Sequence, residues 1–206
     1  YAVGLNGLLG SKSGFKAMQE AELVVLLGTD FPYTDFMPEE NTIIQIDDKP
    51  ERIGRRAKVD YGYAGKIKDT IEALLPMLDE KTEDGFLKDM RKLHEEQEKN
   101  YASYVRAKSE DENIHPEFVA SIIDDVAADD AIFTVDTGMS AVWAARYIKG
   151  KRNRYLTGSF NHGSMANAMP MAIGAGLSRP DRQVIALCGD GGISMLLGDL
   201  MTISQY

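Results

Sequence analysis
Soft metal ligands are scarce in this 206-residue chain: one cysteine, Cys188, and three histidines, His94, His115 and His162, far apart in sequence. One cysteine excludes an internal disulfide and any cysteine-built zinc site. Long apolar runs are missing too. A stretch such as Leu23 to Leu27 falls well short of the roughly 20 residues that cross a bilayer, and the first residues lack the charged-then-apolar order of a secretory signal. Nor is there a basic patch, since 23 Lys and Arg face 32 Asp and Glu, giving a net charge of -9. A phosphate backbone is held by clustered cations, so no nucleic acid is expected as a partner. What remains, with 44% apolar and 27% charged residues, is the composition of an ordinary globular protein, expected in the cytoplasm.

Four short apolar runs end in glycine or aspartate: "AELVVLLGTDFP", "NTIIQIDD", "DAIFTVDTG" and "RQVIALCGDGG". Their lengths and branched residues predict parallel strands buried on both faces. Between them, "SGFKAMQEA", "GKIKDTIEALLPML", "PEFVASIIDDVA", "SAVWAARYI" and "GISMLLGDLMTISQY" repeat apolar residues three and four apart, the helical period. The expected fold class is α/β, with parallel sheets flanked by helices in parts of two doubly wound domains. A highly charged stretch separates the halves and predicts a solvated helix. The division expected is 1–79, a charged helical linker over 80–115, and 116–206; a single domain with one long exposed helix is the competing reading.

Ligands of open parallel sheets sit beyond the carboxyl ends of strands. In "ALCGDGG", Gly189, Gly191 and Gly192 permit close approach, and Asp190 is a hard oxygen ligand suited to Mg²⁺ beside a diphosphate. A tight turn with a capping aspartate reads equally well from these residues alone. Upstream, "GSFNHGSMANAMPMAIGAG" begins polar and turns apolar. Its small residues from Ala172 onward read as a close-packed helix, whereas "NHGSM" offers backbone groups to a flat heterocycle with Met165 as soft support. In the first half "GLNGLLGSKSG" precedes a helix, "GTDFPY" follows a strand, and Asp47 with Asp48 ends the next, where acidic side chains can take ribose hydroxyls.

The pairing of "GSFNHGSMANAMPMAIGA" with "RQVIALCGDGGISMLLGDL", preceded by "GTDFPYTDF" and "IIQIDDKPERIG", resembles the thiamine-diphosphate enzymes of the pyruvate oxidase and acetolactate synthase type. The resemblance implies a partial FAD-binding middle domain followed by a partial pyrophosphate domain. Three cofactors are implied: thiamine diphosphate, Mg²⁺ and FAD. Asp190 matches the metal ligand, Gly191 and Gly192 lie beside the diphosphate, and Gly138 belongs to another diphosphate loop. Gly163, Ser164 and Met165 match the aminopyrimidine segment, Met165 being the buttress that bends the cofactor. For FAD the matching positions are Asn6, Gly7, Leu8, Leu9, Thr29, Asp30, Phe31, Pro32, Tyr33, Asp47, Asp48 and Arg52.

The same resemblance implies an internal piece of a longer chain. The activating glutamate and the asparagine that completes the metal shell both lie outside it, so no catalytic residue is expected in this stretch. Oxidase phrases match best, which implies oxidative decarboxylation of pyruvate through a thiamine-diphosphate enamine, with electrons passing to FAD and then to quinone or oxygen. Carboligation of two 2-keto acids, as in acetolactate synthase, and a non-catalytic nucleotide-binding module are the alternatives. A homotetramer is implied, and peripheral membrane contact would fall to a C-terminal region beyond this stretch.

Overall fold
The computed structural model describes residues 1–106, 113–151 and 153–206. The chain divides into two compact units, Tyr1–Asn100 and Tyr101–Tyr206. Each is built on a three-stranded parallel sheet.

In the first unit β1 (Leu23–Leu27), β2 (Thr42–Asp47) and β3 (Tyr61–Ala64) lie in the order β1-β2-β3, with Leu27 opposite Ile46 and Asp47 opposite Ala64. Helix α1 (Lys12–Glu20) starts at Ser11, whose hydroxyl accepts the Gly14 N–H and so satisfies one of the orphan donors of the first turn. The core gathers Val24, Leu26, Met37 and Ile43, with Met18 of α1 against them. Helix α2 (Ile67–Leu74) follows β3. The charged stretch forms α3 (Gly85–Tyr104), which buries only Met90 and is the solvated helix its composition predicts.

In the second unit β4 (Ile132–Val135) is central between β5 (Tyr155–Gly158) and β6 (Val184–Leu187). Around this sheet lie α4 (Pro116–Val126), α5 (Met139–Tyr147), α6 (Ala168–Ser178), α7 (Asp190–Met195) and α8 (Leu200–Gln205). Among the described residues no helix is long and apolar enough to cross a membrane.

Three expectations need correction. Burial on both faces holds along β4, but β1 alternates, with Leu23, Val25 and Leu27 exposed, and β6 is only half-buried. The reason is position: β4 is central, whereas β1 and β6 are edges. Two strands are not foreseen by the apolar runs, since "YGYA" and "YLTG" are four residues long and carry a glycine within the pattern. The final amphipathic stretch is not one helix. It breaks at Leu196 (φ -122°, ψ 30°) into α7, a short turn and α8, and α6 begins at Ala168, ahead of the small-residue run.

The second unit is pinned by a buried ion pair. Arg154 Nη1 lies 2.6 Å from Asp124 Oδ1, with side-chain exposures of 2% and 4%. Arg154 also donates to the carbonyls of Asp124, Ala127 and Ala128, and its guanidinium lies over the Phe133 ring. Asp124 accepts the Lys149 N–H as well, which ties α4 to the chain after α5. Removing Arg154 leaves the buried Asp124 with only the more exposed Lys151, at 3.6 Å, as a cationic partner, so Arg154→Ala is expected to cost about 3 kcal/mol. Urea unfolding of wild type and variant measures this; an unchanged midpoint would contradict it.

Candidate functional site
In the second unit Val135 of β4 pairs with Gly158 of β5 and Leu187 of β6, so the loops after all three strands leave the same carboxyl edge. There they enclose a cleft of about 460 Å³. Gly138, Met165, Asp190, Gly191 and Gly192 line it, as do Asp136, Thr137, Ala166 and Cys188. A Cβ placed on Gly191 would sit 3.4 Å from Met165 Cε, so two segments far apart in sequence meet here. Gly163 and Ser164 belong to the Met165 loop without lining the cleft; the Ser164 carbonyl accepts from Thr137 Oγ1 at 2.8 Å. His162 is exposed.

Sequence reasoning missed Asp136. It is 2% exposed, directly after β4, and each carboxylate oxygen is used: Oδ1 accepts the Ala168 N–H (2.9 Å) and Oδ2 the Gly189 N–H (3.0 Å). One buried anion thereby holds both cofactor-type loops. A methyl on Gly192 would overlap Asp136 Oδ2, so this glycine is required for close packing on the carboxylate. An acidic residue ending a buried strand is the available signal, the same one that marks Asp47.

Asp190 differs in being exposed at the cleft. Among the described residues no group of three or more His, Cys, Asp or Glu is placed to hold a metal. Of the two carboxylates that line the cleft, Asp136 is held by backbone amides and Asp190 is the exposed one that could meet a Mg²⁺ ion. Cys188 borders the same cleft, and burial, with the Asp136 charge second, pushes its thiol above the ordinary 9.0. It is a neutral side chain near pH 7.

The first-unit residues gather at the matching edge. Because Leu27 lies opposite Ile46, the Thr29–Tyr33 loop after β1 emerges beside Asp47 and Asp48 after β2. A Cβ on Gly7 would lie 3.0 Å from the rings of Phe31 and Tyr33, which themselves meet edge to face at 5.5 Å. Asn6 donates to the Phe36 carbonyl, while its Oδ1 is buried without a partner. Asp47 is fully buried; Oδ1 accepts the Lys49 N–H, and Oδ2 has no partner. Two orphaned acceptors in this unit fit a ligand bearing hydroxyl or N–H donors.

The other first-unit positions are less engaged. Asp30 is paired with Arg55 and Arg56, and the Arg56 hydrogen bond holds its carboxyl below the usual range. Arg52 contributes its carbonyl, which accepts from Gln45 Nε2. Leu8 and Asp48 are exposed, whereas Leu9 and Pro32 are half-buried.

The chain matches two family models: the central domain of thiamine pyrophosphate enzymes over residues 1–74, and their C-terminal TPP binding domain over 136–206. It is 35% identical over 204 residues to YdaP of Bacillus subtilis, named as a candidate thiamine pyrophosphate-containing protein, covering 97% of this chain and 34% of that protein. A pyruvate oxidase of Lactiplantibacillus plantarum is 30% identical, covering 96% of this chain and 33% of that enzyme. An acetolactate synthase of Mycobacterium bovis is 29% identical, covering 97% and 33%. The chain spans about a third of the length of these relatives.

Two outcomes follow from the cleft's geometry. Asp136→Asn must turn an NH₂ group toward one of the two amide donors, and losing that charge-assisted bond is expected to cost about 2–3 kcal/mol. Its urea midpoint should fall with an unchanged slope; wild-type stability would contradict the bridge. Alkylation of Cys188 by iodoacetamide should be slow near neutrality and still accelerating above pH 9.0, the ordinary thiol value. A rate already level by neutral pH would show a thiolate and contradict the burial argument.

Proposed function
The chain belongs to the thiamine pyrophosphate enzymes, and on that premise we propose that it anchors thiamine diphosphate in the second unit and FAD in the first, within an enzyme that oxidatively decarboxylates pyruvate. The observation that carries the reading is the meeting of Met165 with the Gly189–Gly192 turn over the Asp136 carboxylate. Bound thiamine diphosphate supplies an electron sink for decarboxylation, and FAD a two-electron acceptor that passes electrons on to quinone or oxygen.

The chain's own residues bind and orient. Asp190, exposed at the rim, would hold Mg²⁺ against the diphosphate, while Gly191 and Gly192 let the backbone come close. Gly138 brings a third loop to the same cleft, ahead of α5. Met165 would stand under the ring system, with the Gly163 and Ser164 backbone beside it. Cys188 stays protonated and apolar, which suits a pocket that must exclude water. In the first unit the free oxygens of Asp47 and Asn6 would accept from the flavin nucleotide's hydroxyls or amides, with Phe31 and Tyr33 alongside.

Carboligation is a second reading, because an acetolactate synthase and a pyruvate oxidase match this chain at nearly equal identity over nearly its whole length. The test uses the full-length gene product, mixed anaerobically with thiamine diphosphate, Mg²⁺ and pyruvate, with the flavin absorbance followed. Bleaching is expected. Unbleached flavin with acetolactate accumulating would move the assignment to the synthase, and neither signal would overturn both enzyme readings.

A further inference from the structure
Two consecutive residues after β4 hold the Met165 loop from opposite ends. Asp136 takes the Ala168 N–H, behind Met165, at 2.9 Å. Thr137 works ahead of it: its Oγ1 donates to the Ser164 carbonyl at 2.8 Å, and its Cγ2 lies 3.9 Å from where a Cβ on Gly163 would be. The same carbonyl accepts from Asn167 Nδ2 at 2.8 Å, and the Ser164 N–H donates to Ser159 Oγ at 3.0 Å, but these partners are three and five residues away along the chain. Thr137 reaches across 27 positions. Its side chain thus ties the residues before Met165 to the end of the central strand.

Thr137 is exposed and lines the cleft, where a hydroxyl just after a strand reads at first as a donor for the diphosphate. The geometry assigns it otherwise. A threonine hydroxyl carries one proton, and here the Ser164 carbonyl takes it, so the side chain offers the cleft only lone pairs. Lone pairs do not attract an anion. What the hydroxyl does control is the position of Ser164, the neighbour of Met165, which also lines the cleft.

We propose that Thr137 is a positioning residue: its hydroxyl fixes the Ser164 carbonyl, and with it Met165, for the ring portion of thiamine diphosphate, and does not itself bind the diphosphate. The inference rests on the thiamine-diphosphate reading of the cleft. Thr137→Val isolates the hydroxyl, because it keeps the methyl beside Gly163 and puts a second methyl where the hydroxyl was. A carbon needs about 3.3 Å or more from a carbonyl oxygen. The hydroxyl sits at 2.8 Å, so in the variant the loop must shift as well as lose its bond. Since the bond is exposed, water can replace it, and the fold itself stays intact.

The test titrates the full-length gene product and its Thr137→Val and Thr137→Ser variants in excess Mg²⁺ with two probes, thiamine diphosphate and inorganic pyrophosphate. Thr137→Val should raise the Kd of thiamine diphosphate about fivefold and leave that of pyrophosphate within about twofold, as expected when one hydrogen bond no longer selects the ring-binding conformation. Thr137→Ser, which keeps the hydroxyl, should stay within about twofold of wild type for both probes. The ligand-free Tm of Thr137→Val should lie within about 2 °C of wild type. An equal loss for both probes would show that the hydroxyl meets the diphosphate directly, and an unchanged Kd for both would show that Met165 is held without it; either overturns the proposal. So would a serine variant as weak as the valine one. A wild type that binds neither probe would instead overturn the reading of the cleft, and this proposal with it.

Discussion

The carboxylate of Asp136, buried after the central strand of the second unit, is the interaction on which the ligand edge depends. A charge out of water is costly unless donors replace the water it gave up. Two backbone amides do that here, one from the start of α6 and one from the turn before α7. Each oxygen has its donor, so the anion is stable only while both loops stay where they are. Asp190 and Met165, the residues proposed to meet the metal and the ring system, thus come together through a residue of the cleft that is itself almost wholly buried.

The first unit places an aspartate at the corresponding point, as the last residue of its own central strand, and leaves it in a different state. Asp47 is as buried as Asp136, yet only one of its oxygens is engaged. The contrast separates two states of one position: a saturated carboxylate that ties two loops together, and one with a single oxygen engaged. Asn6, in the glycine-rich entry, carries a second orphaned oxygen in this unit.

What could be read from the sequence divides along physical lines. β1, β2, β4 and β6 were legible because each is mostly apolar and branched, as in "LVVLL" and "VIAL", whether it proved central or edge. Edge strands β3 and β5 were not, because a strand covered on one side can carry Tyr, Thr and Gly and still pair. The periodicity of the last stretch was helical on both sides of Leu196, and only the backbone turn there shows that it is two helices. At the site, glycines and exposed ligands announce themselves by type. Asp136 does not, since its role is defined by two amide donors that come together only after folding.

The most direct measurement uses the chain's single tryptophan, Trp143, which borders the cleft from α5. Its fluorescence should change saturably as thiamine diphosphate is added with Mg²⁺, and the response should weaken sharply when Mg²⁺ is withheld, because the exposed Asp190 can engage an anionic diphosphate only through a cation. An unchanged Trp143 signal, in a protein that circular dichroism shows to be folded, would contradict a thiamine diphosphate site at this edge.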